Sequence, residues 1–434
     1  MRARSRFMDS ARALSPTALT PARDRALAFA MLAFWAAFTT WQQWGQWAED
    51  LSAVYVAGWL WQNGQAALVY DARPAFFGGA ADSWLPAMRA IGAADQVSFP
   101  YVYPPLWAVL TAPLTAWLPP QGFFDLVAAV QIPLLAATAW LAGRILKPPA
   151  MLWSAWAAIS LLTLNLSAPS YLAIWHNQPT ITVGFLTLLS IERLGAGRPV
   201  MAGAALALAA AIKLTPAAFV LIFLLDRQWR AAAAFVLVGA ALGLLSVALA
   251  GWPAHQAFLA SLTQVRGLGY LIAINTSLLP AALALGSASG LLPAVDPAAT
   301  QVIYTAVPAW LPQAISLVAL GVVAAFGRAL MPLSGGLRRG IGLLALSIVV
   351  ALMGPLGWLH YYLVPMLLLP GLLGLLPVGT AVLLMALVAI PSLGFVFSAI
   401  GSLPWPIADY TWAMCAVWLT VLGALYLAAR RARA

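Results

Sequence analysis

Between residue 26 and the arginine pair at 430–431, the sequence passes from one uncharged apolar stretch into the next, and few folds accept such a succession. In hydrocarbon every backbone N–H and C=O must be satisfied within the protein, so only helices and closed barrels can span. Barrel strands would read as short segments of alternating polarity, and these are absent. The 434 residues are 63% hydrophobic and 8% charged, whereas soluble domains run near about 25% charged. The expectation is an all-α polytopic membrane protein.

The basic residues set the orientation, because Lys and Arg gather in cytoplasmic loops. Residues 1–25 carry six arginines among Ser, Pro and Ala and read as a disordered cytoplasmic tail, followed by a signal anchor at 26–46. Further spans are expected at 121–143, 151–167, 179–194, 232–250, 306–326, 340–354, 361–376, 378–397 and 409–429. That makes ten full spans in a single membrane domain, 26–434, with both termini inside. This arrangement leaves only Arg73, Arg89, Lys213 and Arg266 of the 22 basic residues off the cytoplasmic side. The net charge of +10 is thus a topology signal, not a nucleic-acid surface. The single cysteine, Cys415, excludes an internal disulfide and a cysteine-rich metal site.

Three stretches depart from simple spans. Residues 47–100 form a long first outer loop, with helical spacing over 51–65 that suits an amphipathic helix on the outer surface. The short apolar run 101–120 is broken by Pro113 and bracketed by proline pairs, so a partial or surface-dipping helix is expected. Residues 200–212 and 214–225 lie between two basic sites, and each arm of about a dozen residues reaches roughly 20 Å, short of the roughly 30 Å hydrocarbon core. They predict a re-entrant hairpin with Lys213 and Pro216 at its tip. A second outer region, 251–304, holds Trp252, His255, Arg266 and Asn275.

Ionisable groups at hydrocarbon are costly unless something uses them. Asp50 fits two roles, a cap for the helix beginning near Leu51 or a general base on a hydroxyl, its pKa raised by apolar surroundings. His360, in GPLGWLHYYLVP, fits either an interfacial aromatic belt with Trp358, Tyr361 and Tyr362 or a proton relay or hydrogen-bond donor to a phosphate or sugar. Lys213 fits a phosphate contact from within the bilayer or a pairing with an acid. Arg266 could hold a phosphate or be a solvated loop arginine. The run Trp175–His176–Asn177–Gln178 reads first as a capped helix end and second as a cavity lining. Asp50 and His360 are the catalytic candidates; Lys213, Arg266, Asn275, Gln178, Tyr55 and Tyr361 are the candidates for substrate binding. A glycine-rich phosphate loop of the Walker type is missing, which excludes an ATP-driven pump. No Asp-x-Asp pair is present, so neither a nucleotide-sugar donor nor a divalent metal is expected.

The order of short motifs is informative. VYVAG at 54–58, LVYD at 68–71, YPPLWAVLTAPL at 103–114, NQPT at 177–180, AGAALALAAAIKLTP at 202–216, DRQWRA at 226–231, INTSL at 274–278 and GPLGWLHYYLVP at 354–365 follow one another. This series resembles the bacterial polyprenol-phosphate-mannose-dependent alpha-mannosyltransferases of the GT-C class of membrane glycosyltransferases. That family includes the mycobacterial enzyme extending phosphatidylinositol mannosides. The resemblance implies inverting sugar transfer on the outer face of a bacterial inner membrane, from a polyprenyl-phosphate sugar to a lipid or glycan hydroxyl. It implies no cofactor, since the donor bond is already activated. It places the family's catalytic acid on Asp50 in preference to Glu49, its outer histidine on His360 and its KxxP lysine on Lys213. NQPT and GPLGW depart from the family's usual residues, which leaves the sugar open among mannose, arabinose and glucose. A transporter or flippase of a lipid-linked or anionic substrate is the alternative, since Lys213 would serve it as well.

Overall fold

The computed structural model describes residues 20–71, 81–292, 303–402 and 407–432. Arg73, Asp296 and most of the arginine-rich tail lie outside these residues. The described chain forms eighteen helices and one two-stranded sheet. Helix α1 spans Pro21–Gln43, α2 Glu49–Gln62, α3 Leu85–Ala90, α4 Pro105–Thr115, α5 Pro120–Leu146, α6 Trp153–Leu166, α7 Ala168–Trp175, α8 Thr180–Gly195 and α9 Pro199–Ile212. A 3-10 turn, Thr215–Phe219, leads into α10, Val220–Leu225, and α11 runs from Trp229 to Arg266. Strand β1 (Leu268–Leu271), α12 (Leu278–Ala288) and β2 (Ile303–Ala306) follow. The remaining helices are α13 (Trp310–Leu330), α14 (Gly335–Met353), α15 (Leu363–Leu368), α16 (Val378–Ser392), α17 (Gly394–Ser402) and α18 (Ile407–Arg431).

Five helices, α5, α11, α13, α14 and α18, are long and apolar enough to cross a membrane. The protein is a multi-pass membrane protein. Several expected spans are helices of shorter reach, among them α6 and α8 at 14 and 16 residues. The run at 361–376 is broken into 3-10 turns around α15.

The first helix starts earlier than the tail boundary at residue 25. Thr20 caps it by accepting from the Arg23 amide at 3.4 Å, and Pro21 stands where a missing N–H costs nothing. Residues 21–25 are therefore helical, and Asp24 is buried against the start of α6, accepting from the amides of Trp153 (2.7 Å) and Ser154 (3.0 Å).

Helix α2 is also a correction. Instead of laying one apolar stripe on a surface, it buries nine of its fourteen residues on all sides, from Leu51 to Leu60. Its aliphatic and small residues let α4 approach, and a Cβ at Gly58 would come within 2.9 Å of Thr111 Cγ2. The second outer region is more ordered than a loop. Helix α11 continues through Gly251, whose φ of 75° makes a kink, and β1 pairs antiparallel with β2 from Leu268–Ala306 to Leu271–Ile303.

The hairpin at Lys213 appears as the spacing predicts: two short helical arms, α9 and the 3-10/α10 segment, meet at an extended Lys213. Small residues let α9 sit closely on α11. A Cβ at Gly203 would lie 2.2 Å from the Ala231 carbonyl, a separation only glycine permits.

Candidate active site

The site gathers where α2 begins, α7 ends and α9 ends. Its centre is the turn His176–Asn177–Gln178. Asn177 takes a left-handed φ of 47°, which asparagine tolerates better than most residues. Gln131 from α5 pins it, donating to the Asn177 carbonyl at 3.0 Å and to its Oδ1 at 2.9 Å. Asn177 in turn donates to the Phe124 carbonyl at 2.9 Å. The turn is so fixed that His176 and Gln178 both line one cavity with Asp50, Tyr103, Lys213, His360 and Tyr361. The cavity is partly open and holds about 790 Å³ of empty space.

Helix α2 starts at Glu49 with Ala48 at the cap position, so Asp50 lies inside the first turn and does not cap. Its carboxylate instead accepts a short hydrogen bond from Gln178 Nε2. Gln178 Oε1 accepts from Lys213 Nζ at 3.2 Å, and Thr180 Oγ1 accepts from the same amine at 2.7 Å. One amide therefore bridges the acid and the amine. Lys213 also lies over the rings of Tyr361 (5.0 Å) and Tyr103 (5.5 Å), contacts worth about 0.5–2 kcal/mol each. Among the described residues no carboxylate forms an ion pair with it. The direct contacts of the lysine amine are all with neutral groups.

The two histidines differ. His176 Nδ1 lies 3.3 Å from Glu49 Oε2, and its ring meets Phe99 edge-on. Burial lowers its pKa, but Glu49 and Asp50 together outweigh that and leave it above the ordinary value. His360 is buried, its Nε2 has no hydrogen-bond partner among the described residues, and its ring stands edge-on to Tyr361. Burial first, then the charges of Lys213 and His176, hold it well below the ordinary imidazole value. It is a neutral donor or acceptor facing the cavity. Asp50 itself is pushed upward by burial against the opposing pull of His176, Gln178 and Lys213.

These elements place a carboxylate, a cation and a polar imidazole around one cavity, an arrangement suited to moving a proton from a hydroxyl while charge accumulates on a phosphate. Comparison with known proteins points the same way. Residues 101–356, more than half of the chain, match the profile of glycosyltransferase family 87. The chain belongs to glycosyltransferase family 87. A curated relative, the polyprenol-phosphate-mannose-dependent alpha-(1-2)-phosphatidylinositol mannoside mannosyltransferase of Mycobacterium tuberculosis, is 34% identical over 152 residues. The matched stretch covers 31% of this chain and 34% of that protein, about a third of each. No solved structure matches.

The family 87 match contains Tyr103, the 176–178 turn and Lys213 but stops short of Asp50 and His360; the fold brings these two in from either side. Of the residues singled out in sequence, Asp50, His360, Lys213, Gln178 and Tyr361 share the cavity. Three do not. Tyr55 is buried with its hydroxyl donating to the Leu118 carbonyl at 2.8 Å. Arg266 is exposed at the end of α11.

Asn275 is fully buried. Its amide donates to the Tyr270 carbonyl (2.8 Å), and its Oδ1 accepts from the amide of Gly357 (2.8 Å) and from Ser277 Oγ (3.1 Å). It shapes the wall that presents His360, aided by bonds from the Thr276 amide to the Gly357 carbonyl (2.7 Å) and from the Leu359 amide to the Ile274 carbonyl (2.9 Å). A Cβ at Gly357 would meet the Thr276 carbonyl at 2.4 Å, so the wall requires glycine there. Sequence reasoning gave His176 only second place, as part of a cavity lining, and missed Tyr103 and the pinning role of Gln131. A histidine and an amide on either side of an asparagine were the available signal.

Proposed function

We propose that this family 87 enzyme transfers mannose from a polyprenyl phosphate to a hydroxyl of a lipid-linked glycan, with inversion, on the outer face of a bacterial inner membrane. The observation that carries the reading is the Gln178 bridge, which sets a carboxylate and an otherwise unpaired ammonium side by side in one cavity. The name of the mycobacterial relative supports the donor and a phosphatidylinositol-mannoside type of acceptor.

In the proposed step Asp50 takes the acceptor proton as its oxygen bonds to the anomeric carbon. The bond from that carbon to the phosphate oxygen breaks, and the electron pair leaves with polyprenyl phosphate. Lys213 offers its charge to the departing phosphate and His360 Nε2 a hydrogen bond, where they act on charge that develops in the transition state. Asp50 ends protonated and returns its proton to water. The lysine supplies the positive charge, so the reaction needs no divalent metal.

The surroundings of Lys213 suit a prenyl chain. Lys213 and Tyr361 also line a second, apolar pocket of about 520 Å³, walled by Val183, Phe219, Val350 and Val364. Farther along α10 and α14 lies a groove walled by Leu225, Phe326 and Leu346. The test is direct: purified enzyme given polyprenyl-phosphate mannose and a phosphatidylinositol-mannoside acceptor should yield the glycolipid one hexose heavier by mass spectrometry. Release of free mannose alone, or movement of intact donor across vesicles without a new glycoside, would overturn the reading.

A further inference from the structure

A second cavity lies on the far side of α7 from the active site. Leu172 and His176 face the catalytic cavity, whereas Tyr171, Ile174 and Trp175 face a groove of about 770 Å³ between α1, α6 and α7. Its lining carries no formal charge, yet it presents four carboxamides, Gln42, Gln43, Gln46 and Asn165. The rings of Tyr171 and Trp175 stack 5.7 Å apart with planes 19° from parallel, and both are exposed.

We infer that this groove binds the non-reacting sugars of a multi-sugar acceptor. The inference rests on the glycosyl-transfer reading above. An acyl chain there would cover the amides of Gln42 and Gln46 without giving them partners, at a cost of roughly 1–3 kcal/mol for each group buried. An anion would find no cation. A carbohydrate satisfies both features, since its hydroxyls pair with carboxamides that donate and accept and its C–H faces lie on exposed aromatic rings. A plain interfacial belt accounts for Trp and Tyr but not for four amides converging from the end of α1, the turn after it and α6.

The amides are unequally committed. Gln43 Nε2 donates to the Trp175 carbonyl at 3.4 Å, while Asn165 is used at both ends, its Oδ1 accepting from the Trp35 indole at 3.1 Å and its Nδ2 donating to the Leu161 carbonyl at 2.7 Å. Gln42 and Gln46 are exposed and use their side-chain amides on no partner among the described residues. The groove is joined to the site through the backbone that ends α7, since the Trp175 carbonyl accepts from Gln43 and the His176 carbonyl from the Leu51 amide. One helix of roughly 10 Å diameter separates the two cavities, a span that a single sugar cannot cover and an oligosaccharide can.

The experiment compares wild type with Tyr171→Ala and with Gln42→Ala/Gln46→Ala, all changes at exposed side chains. Isothermal titration in detergent with mannotetraose should show binding to wild type and at least a tenfold weaker Kd in each variant; methyl mannoside should show no difference. In turnover, KM for a tetrasaccharide-bearing glycolipid should rise about tenfold while kcat, the donor KM and the KM for a single-sugar glycolipid stay put. Equal effects on long and short acceptors, or wild-type affinity in both variants, would overturn the groove. If wild type binds mannotetraose but transfers nothing to any acceptor, the transfer reading fails and the groove stands.

Discussion

The two ends of α8 handle charge in opposite ways. At its C-terminal end Glu192 pairs with Arg144 (2.9 Å) and Arg193 (2.5 Å), and nearby Asp226 pairs with Arg338 (2.7 Å) and Arg339 (2.6 Å). Every acid there has two guanidinium partners. At its N-terminal end, roughly 22 Å away by helical rise, Asp50 and Lys213 share a neutral amide and form no ion pair with each other. The first arrangement is saturated and holds helices together. The second leaves charge available to a ligand and accepts the cost of keeping it half-exposed. Stability and catalysis are thus separable along a single helix.

That separation can be broken deliberately. The largest effect is expected from Asp50→Asn, which keeps shape and bonding but removes the base; kcat should fall about 10²–10⁴-fold with the melting temperature unchanged. A wild-type rate would remove Asp50 from the mechanism. Lys213→Ala should act chiefly on the donor, lowering kcat/KM for polyprenyl-phosphate mannose by roughly 10²-fold, in line with loss of a group that stabilises transition-state charge. Acceptor KM that moved instead would place the phosphate elsewhere.

Asp226→Ala should do the reverse, stranding two arginines and lowering stability by about 3–5 kcal/mol while surviving folded enzyme keeps its kcat. Denaturant midpoints measured beside turnover would show it. His176→Gln is subtler. On the proposed mechanism Asp50 works ionised, so activity is present above its pKa and lost as pH falls through it, and that pKa lies above the ordinary 3.8. Removing the histidine charge that pulls it down should move the acid limb of kcat/KM to higher pH. An unmoved limb would mean the two groups do not sense each other. EDTA should change nothing, since Lys213 carries the charge a metal would bring; a reversible loss of rate would reassign that role.

Much of this was legible in the chain. The apolar runs announced a helical membrane protein, and the dozen-residue arms around Lys213 gave its hairpin, because segment length against hydrocarbon thickness is a direct physical constraint. Asp50, His360 and Lys213 stood out because ionisable groups are scarce among so many aliphatic ones. Other features were not legible. Helical spacing over 51–65 suggested a one-sided helix, but spacing cannot show that α4 would cover the remaining face. Asn275 and Tyr55 look like ligand contacts in sequence because the partners that tie them into the core, Gly357 for Asn275 and Leu118 for Tyr55, lie far along the chain. His176 was undervalued because a polar run at a helix end is normally a cap, and only the fold brings it against Glu49 and into the cavity with Asp50.

The Gln178 amide has a consequence of its own. A carboxamide donates from one side and accepts from the other, so it satisfies both neighbours only when one is an acceptor and the other a donor. A protonated Asp50 would be a weaker acceptor for the NH₂ group, and a neutral Lys213 would weaken the bond it now gives to Oε1. Gln178 therefore works as a parity check, admitting the anion and the cation together. Glu in its place, nearly identical in shape, would pass the wrong combination.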